Sequence, residues 1–166
     1  TGEINRKLAI VARETGIPIA SGSLSVAMKD PSLLDSFRVI REENPDGIVL
    51  ANLGAEHSIE NAKKAIDILE AQALQIHLNT PQALVMPAGE RAFSHWLPSI
   101  EYLAKELEYP LIVKEVGFGM ARETIAQLKS VGVKYIDLGG YGGTNFAKIE
   151  NFRRSKNEYT YLEDFG

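Results

Sequence analysis

The sequence predicts an α/β protein built on a parallel sheet, and three observations predict it. Short apolar runs recur roughly every 30 residues, helical patterns separate them, and polar or glycine residues follow each run. The runs are 17–21, 47–51, 73–78, 111–116 and 135–138, each nearly all apolar, as strands buried on both faces of a parallel sheet are.

The elements follow in order. A helix spans 3–15 directly after Thr1-Gly2, and the run 17–21 ends at Gly22-Ser23. A second helix, 32–43, leads to 47–51, which ends at Asn52-Leu53-Gly54. The third helix, 58–71, opens on Ser58 with Asn61 and carries Ala62, Ala65, Ile66 and Leu69 at helical spacing. The run 73–78 ends in His77, with Asn79 and Gln82 beyond it. In the helix 93–107, Phe93, Trp96 and Leu97 read as a face packed on the sheet. The run 111–116 contains Lys114-Glu115; helix 121–130 closes at Gly132, and the last run, 135–138, contains Asp137 and precedes Gly139-Gly140. A sixth helix is expected over 144–154.

Two architectures satisfy this alternation, a doubly wound open sheet and a portion of a TIM (β/α)8 barrel. The glycine-rich turns Gly117-Phe118-Gly119-Met120 and Gly139-Gly140-Tyr141-Gly142-Gly143 lack the G-x-G-x-x-G spacing, and no P-loop Lys-Ser/Thr pair follows either, which weighs against a dinucleotide fold. A complete barrel takes about 250 residues, and five strands do not close one. The expectation is therefore a single barrel domain over 1–166, an incomplete portion covering about five βα units. It lacks the first strand and the last strands, with cut ends at Thr1-Gly2 and Asp164-Phe165-Gly166.

Composition narrows the classes of function. With 45% hydrophobic residues and 24% charged, the chain has material for a real core. A net charge of -4 offers no basic face for nucleic acid. The absence of cysteine excludes disulfides, zinc-thiolate sites and thiol catalysis and fits a reducing compartment, the cytoplasm. No signal peptide is visible and no apolar run approaches a membrane span.

The candidate site residues are those at successive run ends: Ser23, Asn52, His77 with Asn79 and Gln82, Lys114 and Asp137. A rim drawn from several strand ends is where parallel barrels place their chemistry; taken singly, each such residue also serves as a strand end whose frayed backbone needs polar partners. Lys114 stands inside an apolar run, where an ammonium needs a partner. It reads either as an ion pair with Glu115 or Asp137, as a side chain snorkelling to the rim, or as a functional cation for an anionic substrate or reduced cofactor. His77 alone of the three histidines sits in a strand pattern; His57 and His95 read as solvated or capping residues. The glycine segments allow either tight turns or the approach of a phosphate or cofactor edge to main-chain amides. Glu90 reads as pairing with Arg91 or capping the helix near Phe93, and Glu150 as pairing with Arg153 or Arg154.

In combination, Gln75-Ile76-His77-Leu78-Asn79 with Gln82, Met86-Pro87 with Gly89-Glu90-Arg91, Val113 through Met120, and Gly139-Gly140 with Gly142-Gly143-Thr144-Asn145-Phe146-Ala147 resemble type 2 isopentenyl-diphosphate isomerase, in order and in register over nearly the whole chain. The resemblance implies a homo-oligomeric (tetrameric or octameric) FMN-dependent barrel enzyme of isoprenoid biosynthesis. Such an enzyme interconverts isopentenyl and dimethylallyl diphosphate with reduced flavin, Mg²⁺, and NADPH as reductant. By it, Thr1, Ser23, Asn52, Lys114 and Thr144 would hold FMN, with Lys114 at the pyrimidine edge. His77, Asn79, Gln82 and Asn145 would face the substrate; Gln82, His77 and Lys114 would be the catalytic group; and Glu150 would lie near the metal. Two positions depart from the family pattern. The Glu that follows the Gln and holds magnesium is here Ala83, and the Glu after Pro87 is Ala88. The alternatives are a metal-impaired or inactive barrel variant, and an FMN-dependent oxidoreductase acting on 2-hydroxy acids.

Overall fold

The computed structural model describes residues 1–142 and 144–155. Five parallel strands form a half-barrel in the sequential order β1 to β5: β1 Ile19–Ala20, β2 Val49–Gly54, β3 Ala73–His77, β4 Leu111–Lys114 and β5 Tyr135–Asp137. The helices are α1 Gly2–Thr15, α2 Ser25–Lys29, α3 Asp35–Glu43, α4 Ile59–Leu69, α5 Thr80–Val85, α6 Trp96–Glu106, α7 Arg122–Ser130 and α8 Phe146–Phe152. Each strand pairs with the next in sequence, so the order always advances in one direction, and the right-handed crossover that parallel strands favour then puts the connecting helices on one face. That is singly wound barrel topology, not the reversal of a doubly wound sheet.

The register sorts the side chains by parity. Val49, Ala51 and Leu53 of β2, Leu74 and Ile76 of β3, and Leu111 and Val113 of β4 join one core with Ile40, Ala65, Ile66, Ile100, Leu103 and Leu128 from the helices. The opposite face carries Asn52, Gln75, His77, Lys114 and Asp137. Asn52 pairs with Gln75, and His77, Lys114 and Asp137 lie abreast on β3, β4 and β5. Burial on both faces, expected for every strand, holds for β2 and most of β3 but not for β5, whose Tyr135 is exposed. Among the described residues nothing pairs with the far side of β1 or β5.

The expected helix over 32–43 begins instead as a 3₁₀ turn, Pro31–Leu33, in which the Asp30 carboxylate accepts from Ser32 N at 3.0 Å, before α3 starts. The helix expected from Phe93 begins at Trp96, and the last one occupies only Phe146–Phe152. Two short helices, α2 and α5, were not expected. Both follow strand ends and are too short to show a helical period. Ser58 caps α4 as its position suggests, accepting from Asn61 N at 3.4 Å, and Gly132 leaves α7 with φ 95°. Gly143 and the terminal Asp164-Phe165-Gly166 lie outside the described residues.

At the end of the sheet away from the polar row, Arg41 of α3 gathers the strand approaches. Its guanidinium donates to the carbonyls of Leu69, Asn44, Pro45, Gly47 and Glu70 and to Gln72 Oε1, all within 3.1 Å. Five donors in a fixed fork suit this work, which a lysine ammonium cannot reproduce.

Candidate active site

The C-terminal ends of all five strands open into one cleft of about 560 Å³. Ser23, Asn52, His77, Asn79, Gln82 and Lys114, expected singly from the sequence, line it together. A second cleft on the other side of His77 and Asn79 is lined by Ser23, Ala83 and Glu90.

A hydrogen-bonded chain crosses the floor. Asn52 Nδ2 donates to Gln75 Oε1 at 3.3 Å, leaving Asn52 Oδ1 to accept from His77 Nδ1 at 2.9 Å. With the proton on Nδ1, His77 turns the lone pair of Nε2 outward, and this atom has no partner among the described residues. Burial pushes the His77 pKa down, Lys114 and His57 add to the effect, and Glu56 opposes it, so the ring is neutral at pH 7. Asn52 and Gln75 are each 7% exposed, and Ser21 Oγ is buried with no hydrogen-bond partner among the described residues.

Of the readings open to Lys114, the structure removes the ion pair. Neither Glu115 nor Asp137 pairs with it; among the described residues it forms no salt bridge, and its ammonium donates to the main-chain oxygen of Glu115. Asp137 instead accepts from Gly139 N at 3.1 Å. A cation without a carboxylate therefore faces the cleft beside a neutral imidazole.

The structure leaves other expected residues at a distance. Thr1 and Thr144 are exposed and outside the lining of either cleft. Asn145 is the N-cap of α8, its Oδ1 accepting from Lys148 N at 2.9 Å. Glu150, 6% exposed, accepts from Arg153 at 3.1 Å, the ion pair its spacing suggests, and from Gln82 Nε2 at 3.5 Å. Through Gln82 it supports the cleft from behind.

Glu90 and His57 differ from their sequence readings. Glu90 bonds Trp96 Nε1 at 3.1 Å and approaches His95 at 3.4 Å, while Arg91 turns to the carbonyls of Ala83, Met86, Gly89 and Glu90. His57 is not a solvated loop residue: its ring joins Asn61 (3.1 Å) to Ser25 (2.7 Å), and Ser25 reaches Ser23 at 2.8 Å. The sequence signal for Gln75 was available, since it stands two residues from His77 and so shares its face. Ser21, Ser25 and His57 carried no comparable signal, because only tertiary packing brings the loops after β1 and β2 together.

The glycine segments are already filled. The Glu115 carboxylate accepts from the amides of Gly117 (2.5 Å), Phe118, Gly119 (2.9 Å) and Gly140 (2.6 Å), so these amides do not wait for a phosphate. For a divalent cation the donors are sparse. Among the described residues no three His, Cys, Asp or Glu side chains gather, Glu150 is engaged by Arg153, and Ala83 offers no oxygen. The residues present do not build a magnesium cage.

A polar row at the C-terminal ends of singly wound parallel strands defines the class: a β/α half-barrel with a polar cleft at the end where such barrels place their sites. No protein-family model matches the chain. Over all 166 residues it is 54% identical to isopentenyl-diphosphate delta-isomerase of Streptomyces sp. (strain CL190), of which it covers 46%. It is 55% identical over 164 residues to the enzyme of that name from Nocardia farcinica and 54% identical over 166 to that of Listeria monocytogenes serotype 4a, covering 45% and 46% of them. The chain thus spans about half the length of the curated relatives it matches. Among solved structures, xylanase 10B of Thermotoga petrophila aligns with TM-score 0.43 and 14% identity over 84% of this chain and 52% of that one. No helix among the described residues is long and apolar enough to cross a membrane.

Proposed function

We propose that this chain carries the ligand-facing rim of an FMN-dependent, type 2 isopentenyl-diphosphate delta-isomerase. The observation that carries the reading is Lys114: a cation whose ammonium donates to a main-chain carbonyl in the cleft, with no carboxylate paired to it among the described residues, beside an open imidazole acceptor. These groups fit a flat, polar, electron-rich ring that gains negative charge on reduction.

When bound, reduced FMN supplies the acid/base group for moving a proton between the allylic carbons. Lys114 stabilises negative charge on the ring. Asn52 and Ser23 offer it hydrogen bonds, and Asn52 also fixes the His77 tautomer so that Nε2 accepts from the ligand. Gln82, steadied by Glu150, orients the substrate, while Met86 and Phe146 in the cleft lining keep water from a cationic transition state. No step is assigned to magnesium. The same reading takes NADPH as reductant, a cytoplasmic location and a homo-oligomer. Among the described residues no arginine lines either cleft, which argues against oxidation of a 2-hydroxy acid, whose carboxylate calls for one.

The test is flavin content and turnover. A full-length protein carrying this chain should bind FMN saturably and isomerise isopentenyl diphosphate with reduced FMN; no flavin absorbance and no saturable binding would overturn the reading. Ala83→Glu separates a metal-impaired variant from a working enzyme. If the missing carboxylate limits metal use, the substitution raises Mg²⁺-dependent turnover about tenfold or more; unchanged turnover means that the chain does without that ligand.

A further inference from the structure

Glu115 closes β4, is 5% exposed, and has no cationic partner among the described residues. Its carboxylate is satisfied by main chain instead. One oxygen accepts from three successive amides, Gly117, Phe118 and Gly119, and the other from Gly140 in the loop after β5. Successive amides converging on one point make an anion nest, and here the anion is part of the chain. The glycines make it possible: Gly117, Gly119 and Gly140 have φ of 127°, 77° and 94°, and a Cβ on Gly139 would lie 1.5 Å from Glu115 Oε1. Burial raises the Glu115 pKa, yet the four amides outweigh it and hold the carboxyl below the ordinary Glu range, so it stays charged. The same residue supplies the carbonyl on which the Lys114 ammonium rests.

We propose that Glu115 is a positioning residue that ties the loops after β4 and β5 into one wall of the cleft and thereby sets the place of the Lys114 ammonium. The carboxylate holds the two loops and the carbonyl holds the cation, so a shift of one moves the other.

Amide hydrogen exchange of the protein, with no flavin present, reads the tie directly. In Glu115→Ala the amides of residues 117–119 and of Gly140 should exchange at least about tenfold faster, the loss of a charged hydrogen bond, while Leu53 and Ile76 in the core keep their protection. Acetate, which can occupy the vacated nest, should restore protection saturably, and chloride at equal ionic strength should not. Gly140 protection that is unchanged, or lost but indifferent to acetate, would overturn the proposal. Should the alanine variant fail to fold, Glu115→Gln keeps the shape with one acceptor oxygen and should release one loop while holding the other; wild-type protection of both would count against the tie. A second arm, which rests on the flavin reading above, measures affinity for reduced FMN. Binding should weaken in Glu115→Ala and recover with acetate, and unchanged affinity beside lost Gly140 protection would overturn the link to Lys114. Because exchange is read without flavin, a protein that binds no FMN leaves the first arm intact.

Discussion

Lys114 ends β4 and Glu115 follows it, and these neighbours of opposite charge do not pair. Each finds main chain instead, the ammonium on a carbonyl and the carboxylate on four amides. On the flavin reading proposed above the cation is left for the ligand, and Lys114→Gln should weaken binding of reduced FMN roughly tenfold to a hundredfold and of oxidised FMN less. Titration of both redox forms into the variant checks this; equal losses for the two forms would remove Lys114 from the role of charge stabiliser. A polar side chain within an apolar run was legible as a candidate, and Lys114, His77 and Asn52 were found that way. The partner each one takes was not legible, since Asn52 and His77 are 25 residues apart and meet only through the β2–β3 register.

At the scale of elements, long periodic stretches were legible and short ones were not. The capped and amphipathic α4 lies where its sequence puts it, whereas α2 and α5 have too few residues to show a stripe, although α5 carries Gln82 and Ala83. Helix α5 packs on α8, which brings Gln82 within reach of Glu150, 68 residues away. The opposite end of the sheet depends on Arg41, whose guanidinium serves the α3–β2 and α4–β3 connections together. Arg41→Lys should keep the charge yet lose most of these bonds, lowering stability by about 2–4 kcal/mol. Urea unfolding measures it, and a midpoint within error of the parent would show that the bonds are replaceable by water.

Over the whole molecule, buried titratable groups make stability depend on pH. Burial lowers the pKa values of His57 and His77, so the unfolded chain binds their protons first, and stability falls as pH drops through about 6.5 toward the folded values. Glu115 acts in a lower window: its folded pKa is depressed, so its contribution persists above the ordinary Glu range and is lost as pH falls through the folded value. Urea midpoints from pH 8 to 5 should decline below 6.5, less steeply in His77→Asn, and the double variant with His57→Asn should be nearly flat there; an unaltered slope would assign the effect to other groups. By itself the sequence determined the β/α alternation, the absence of a dinucleotide loop and the identity of the residues at strand ends, because apolar periodicity, glycine spacing and strand parity are local properties of the chain. Only the tertiary structure decided that one sheet face is apolar and the other polar, that Glu115 fills the glycine amides, and that Lys114 has no counter-ion among the described residues. Those outcomes depend on register and loop packing between segments distant in sequence, where hydrogen-bond geometry rather than residue type selects the partner.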